Sequence, residues 1–242
     1  MSKVIAVIHH ISNEVTIQNA AIARAAGAAG VALIQMQARD VELDEPARVL
    51  RALYPASTEF MIGCNRLNAW PDDAIHQDFE LGLDFTWQDN PGVSSLGVTT
   101  MAEVATAALA SLTRPFLFFG SVAFKTQAHE AAPAAAALYA ADLGWVVTTS
   151  GVATGIAPDC EKLRAMREAI GERPLAVASG VTPDNVNSIA RFVDFIFVAT
   201  GVSVDFYHLS PELLQTVVER ARNATIDAAM EATQQNQKEN AA

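Results

Sequence analysis

Residues 174–201, PLAVASGVTPDNVNSIARFVDFIFVATG, carry two glycine-bearing turns, Ser179-Gly180 and Thr200-Gly201, each closing a short apolar run. Chemically, such a pair suits a phosphate grip. The missing Cβ of Gly180 lets a backbone come close to a ligand. Thr182-Pro183 reads as the N-cap and first residue of a helix over 182–191, whose free N–H groups would favour an anion. Thr149-Ser150-Gly151 and Thr154-Gly155 add a hydroxyl-rich turn after an earlier apolar run. The candidate phosphate-binding set is therefore Ser150, Thr154, Gly155, Ser179, Gly180, Thr200 and Gly201. The competing reading for each is an ordinary strand-to-helix turn.

Groups able to move protons or polarise a carbonyl are sparser. Lys125 is a phosphate or carbonyl partner, or, if desolvated, a base or Schiff-base amine; otherwise it is a solvated lysine in a long loop. His9 and His10 are adjacent on one expected strand, so only one can face a site, and His9 is the choice. Asp89, in WQDNPG, is either a general base or a turn former. Asn65 stands at the end of the expected third strand. Trp70 and Trp87 are candidates to stack on a base or sugar, with burial in a core as the alternative.

These positions need a scaffold, and hydrophobic periodicity supplies one. Short apolar runs at 4–9, 31–35, 60–64, 85–87, 116–119, 145–149, 175–178 and 195–199 alternate with helical patterns at 14–29, 45–53, 73–82, 100–112, 131–143, 159–170, 182–191 and 210–229. Eight β/α alternations in a chain of this length predict an α/β protein, a single-domain (β/α)8 TIM barrel over 1–229. An open doubly wound sheet is the alternative, but GxGxxG is missing after the first run. Residues 230–242 are polar and predict a frayed tail. A barrel puts its chemistry at the C-terminal ends of its strands. The wider short list there includes Gln35, Gln37, Arg66, Asn68 and Asp205. That set is rich in amides and poor in carboxylates, which suits hydroxyls, heterocycles or phosphate better than a hard cation.

Composition narrows the partners. A net charge of −11 argues against a nucleic-acid backbone or an anionic membrane, both of which are held by Lys and Arg. Cys64 and Cys160 have neither disulfide-framework nor zinc spacing. No metal and no cofactor is expected. The MSKVIAVIHH start has no long apolar segment, so membrane insertion is not expected and a cytoplasmic location is. Alanine-rich helices permit a homo-oligomer.

Several segments in order resemble the BtpA family of TIM-barrel proteins: VIAVIHHIS, MIGCNRLNAW and, most closely, VVTTSGVATGIAPDCEKLRAMREAIGERPLAVASGVTPDNV. The Ser-Gly-Val-Thr-Pro element also occurs in phosphoribosylanthranilate isomerases, the ribulose-phosphate-binding type of barrel. The resemblance implies that loops six to eight bind a phosphorylated small molecule, a sugar phosphate or nucleotide. Isomerase, lyase and glycosidic hydrolase or transferase chemistry are all compatible with it. The family name also implies the alternative, a non-catalytic ligand-sequestering or assembly-factor protein.

Overall fold

A computed structural model describes residues 1–36 and 40–239; Gln37 lies outside them. Eight parallel strands close into a barrel: β1 (Lys3–His9), β2 (Gly30–Ile34), β3 (Met61–Asn65), β4 (Phe85–Gln88), β7 (Leu117–Ser121), β8 (Val146–Thr149), β9 (Leu175–Ala178) and β10 (Phe195–Val198). Closure comes from β1 pairing with both β2 and β10. The expected fourth strand, short and aromatic, is a full member, paired to β3 and β7. The structure is thus the (β/α)8 barrel that the alternation predicts. Between β4 and the next helix sits a hairpin of two-residue strands, β5 (Val93–Ser94) and β6 (Gly97–Val98), which the periodicity does not announce because each is too short to show a period.

The helices are α1 (Asn13–Ala25), α2 (Asp44–Leu53), α3 (Pro71–Glu80), α4 (Thr100–Ala110), α5 (Pro133–Asp142), α6 (Cys160–Ile170), α7 (Val186–Ala190) and α8 (Pro211–Glu239). The first stops at Ala25, short of the expected 29, and two others differ from expectation. The last runs on past Ala229 to Glu239, through Glu, Gln and Lys residues that favour helix. The seventh has only five residues and starts at Val186, not Thr182. The Thr182 N–H is held by the Asn185 side chain at 2.8 Å, and that amide also bonds the Gly180 carbonyl at 2.8 Å. Asn185 thereby closes a tight turn where the sequence suggests the first turn of a helix.

Side-chain alternation splits the sheet into two apolar layers. Val4, Ala6 and Ile8 pack outward against the helices, whereas Ile5 and Val7 point into the barrel. The interior is aromatic: Phe119 meets Phe85, Phe195 and Phe197 edge-on at centroid distances of 5.1, 5.0 and 4.9 Å. Burial of each such ring contributes roughly 1.5–3 kcal/mol and makes a solid floor beneath the C-terminal mouth.

Candidate functional site

The two-residue period continues past the strand ends and selects what enters the mouth. From Ile5 and Val7 the inward phase reaches His9. From Ala32 and Ile34 it reaches Met36, from Phe85 and Trp87 it reaches Asp89, and from Phe195 and Phe197 it reaches Ala199. These residues, with Asn65, Leu67, Lys125, Thr126, Thr154, Ser179, Gly180, Thr200 and Phe206, line a cavity of about 290 Å3. Its floor is Trp87 and Phe197, 4.9 Å apart between centroids. The Trp87 indole donates to Ser121 Oγ at 3.0 Å, which fixes it as wall rather than as a mobile stacking platform.

All four proton-handling candidates converge on this cavity. Asn65 is almost fully buried and donates through Nδ2 to Asp89 Oδ1 at 3.0 Å, while its own Oδ1 has no partner among the described residues. Burial raises the Asp89 carboxyl above the ordinary aspartate range, against the opposing pull of Asn65, the Lys125 charge and the Thr126 hydroxyl. Lys125 shifts the opposite way, lowered by burial and partly restored by Asp89. The two groups therefore lie in each other's field and are both moved towards neutrality. Burial lowers His9 as well; a ring N–H bond to the Phe206 carbonyl partly opposes this, and Lys125 adds to it. Phe206 stacks on the His9 ring at 4.1 Å. His10, out of phase, bonds Thr16 Oγ1 at 2.8 Å instead.

Across the mouth, Ser179 and Gly180 are both left-handed, at φ +83° and +74°. A non-glycine residue held there is strained, and such strain concentrates at functional sites. The Ser179 hydroxyl accepts from Gly155 N at 3.1 Å, tying the β8 loop to the β9 loop. The amides of Gly180 and Val181 make no hydrogen bond with any described residue; Gly180 lines the cavity, whereas Val181 is buried. Gly180 is required by protein rather than by ligand: a Cβ there would lie 2.0 Å from Ala157 N.

Three candidates do not line the cavity. Ser150 is fully buried; its hydroxyl accepts from Lys125 N and donates to the Gly151 carbonyl, both at 2.8 Å. Its work is to place the lysine loop. Gly155 stands behind Ser179. Gly201 packs on the Val181 carbonyl, which would lie 2.1 Å from an added Cβ. On the wider list, Gln35 falls out of phase, and Arg66 is buried in the outer layer, paired to Asp78 at 2.7 Å and to Asp44 at 2.9 Å. Burial raises Asp78 to about 6 in spite of Arg66.

Asp205, on the wider list, works at one remove from the cavity, and Lys162, Leu67 and Phe206 were not apparent from sequence. Asp205 accepts from the backbone of Tyr207 and His208 at 2.8 and 2.9 Å, holding the turn that presents Phe206. Lys162, on α6, donates to the carbonyls of Ala123 and Ser150 at 2.6 and 2.8 Å, bracing the β7 and β8 loops, and burial pushes its ammonium down to about 8. Leu67 could have been found by counting two from Asn65. Phe206 lies in an irregular loop with no period to follow. Among the described residues no group of three or more His, Cys, Asp or Glu gathers as metal ligands would, and no helix is long and apolar enough to cross a membrane.

No protein-family model and no curated protein matches the chain, so the BtpA resemblance has no family match beside it. Solved structures match its fold. Phosphoribosyl anthranilate isomerase from Thermotoga maritima is 14% identical with a TM-score of 0.66, over 92% of this chain and 100% of that one. The Thermus thermophilus isomerase is 16% identical with a TM-score of 0.62, over 91% and 98%. The native KDPGal structure is 15% identical with a TM-score of 0.61, over 96% of each chain. At such identities the likeness is one of barrel architecture.

Proposed function

We propose that the protein binds a phosphorylated small molecule, a sugar phosphate or nucleotide, in the barrel mouth and transforms it by proton transfer. One observation carries this reading: Asp89 and Lys125, shifted in opposite directions towards neutrality, share a cavity with the strained Ser179-Gly180 turn. The phosphate lies against the Gly180 amide and the Thr200 and Thr154 hydroxyls, a preorganised set of donors. The rest of the molecule then reaches the barrel axis, where general acid–base groups work best with pKa values near the operating pH. Asp89 is the proton carrier. Lys125 stabilises negative charge developing on a substrate oxygen, Asn65 orients Asp89, and neutral His9 supplies a hydrogen bond.

Likeness to phosphoribosyl anthranilate isomerases supports the phosphate end of this assignment through shared architecture. The test is a thermal-shift screen against inorganic phosphate, sugar phosphates and nucleoside monophosphates, with Lys125→Met as control, since binding to the native state raises the melting temperature. A rise for phosphorylated compounds that the control diminishes is expected. No rise for any of them overturns the proposal.

A further inference from the structure

The mouth does not end at Asp89. On the far side of Asp89, Leu67 and Thr126 opens a second cavity of about 380 Å3, which these three residues share with the first. It continues past Trp70, Asn90 and Met101 into a third, of about 630 Å3, against the β5–β6 hairpin and α4. The three form one trench leading from the barrel axis outward between the loops after β3 and β4.

We propose that this trench holds the nitrogen-bearing aromatic ring of the ligand, a nucleobase or closely related heterocycle, so that the bound molecule is a nucleoside monophosphate rather than a simple sugar phosphate. The inference rests on the phosphate assignment above and extends it. Three features select the class. Trp70 is 60% exposed, directly beside the trench, and stands at the N-cap of α3 with Pro71 following, so its backbone is stiff. An exposed indole on a rigid support is a stacking surface for a flat ring. The trench walls beyond Asp89 contain no Lys or Arg among the described residues, which disfavours a second phosphate or carboxylate there. The Asn90 amide lines the trench with the indole and offers both donor and acceptor, as the edge of a base requires.

Asp89 stands at the junction and is fixed at both ends. Its side chain accepts from Asn65 at 3.0 Å and its carbonyl from Gln127 at 2.9 Å. A ligand spanning the trench and the mouth would therefore pass Asp89 where ring and sugar meet. Among the described residues, Asp89 is the one ionisable side chain that lines the second and third cavities, which suits a ring bearing N–H groups.

Calorimetric titration of the intact protein with ribose 5-phosphate and with the 5′-monophosphates of adenosine, guanosine, cytidine and uridine tests this. At least one nucleotide is expected to bind roughly tenfold more tightly than ribose 5-phosphate, the usual value of a base stacked on an aromatic side chain. Trp70→Ala is expected to erase that gain while leaving ribose 5-phosphate affinity unchanged, and Trp70→Phe to keep most of it. The exposed position lets both variants fold, which their melting temperatures check. If ribose 5-phosphate binds and no nucleotide exceeds it, or if Trp70→Ala weakens both alike, the trench assignment is overturned while the phosphate assignment stands. If neither class binds, both are overturned.

Discussion

Replacing Gly180 and Gly155 by alanine separates two costs that usually come together. Both glycines are left-handed, at φ +74° and +80°. Around Gly155 nothing lies within 4 Å of an added Cβ; at Gly180 the backbone of the β8 loop is 2.0 Å away at Ala157 N and 2.2 Å at the Ile156 carbonyl carbon. Gly155→Ala therefore carries only the left-handed penalty, about 1 kcal/mol. Gly180→Ala adds the displacement of a packed loop, which brings the total to about 3 kcal/mol. In a domain of this size those values lower the melting temperature by about 2–4 °C and about 6–12 °C respectively. Scanning calorimetry of both variants with the wild type gives the answer. Equal shifts, or a Gly180→Ala shift below that of Gly155→Ala, would refute the reasoning that this junction is closed by direct backbone packing.

Three further outcomes are expected. Asp78→Ala removes the fully buried carboxylate that pairs with the Arg66 guanidinium, and urea unfolding should show a loss of about 3–5 kcal/mol; a loss below 1 kcal/mol would mean that the pair is dispensable. The folded state binds the Lys162 proton less tightly than the unfolded state, so the burial penalty is complete below about pH 8 and is relieved as pH rises towards 10.5. Wild-type stability should accordingly gain on Lys162→Met over that window and run parallel to it below pH 7 in pH-dependent melts. For Asp89 the sign is reversed: its raised pKa gives a stability contribution that is complete at low pH and lost as pH rises through the folded value. Asp89→Asn, which cannot ionise, escapes that loss. It should be at least as stable as wild type at pH 7 while turnover of any substrate identified falls by about 10²–10⁴, and a marked drop in its melting temperature would instead make Asp89 a structural residue.

Legibility followed periodicity. Alternation along β1 and β4 carries directly to His9 and Asp89, and eight apolar runs gave the closed barrel. Where a side chain bonds a local backbone group, the pattern misleads. Asn185 takes the Thr182 N–H and removes the first turn of the expected helix. The Lys125 amide claims the Ser150 hydroxyl, and a hydroxyl expected to meet phosphate becomes a loop support. Glycines are ambiguous for the same reason: Gly180 and Gly201 read as room for a ligand, but the space at each is taken by a neighbouring loop of the chain itself. The trench beyond Asp89 depends on how the β5–β6 hairpin stands against α4, a tertiary arrangement with no local sequence signal.

A crystal of the protein soaked in ribose 5-phosphate tests the phosphate site most directly. The expected result is phosphate density within hydrogen-bond reach of the Gly180 amide and the Thr200 hydroxyl, with the sugar directed at Asp89 and Lys125. Phosphate bound elsewhere on the molecule, with an unchanged mouth, would contradict it.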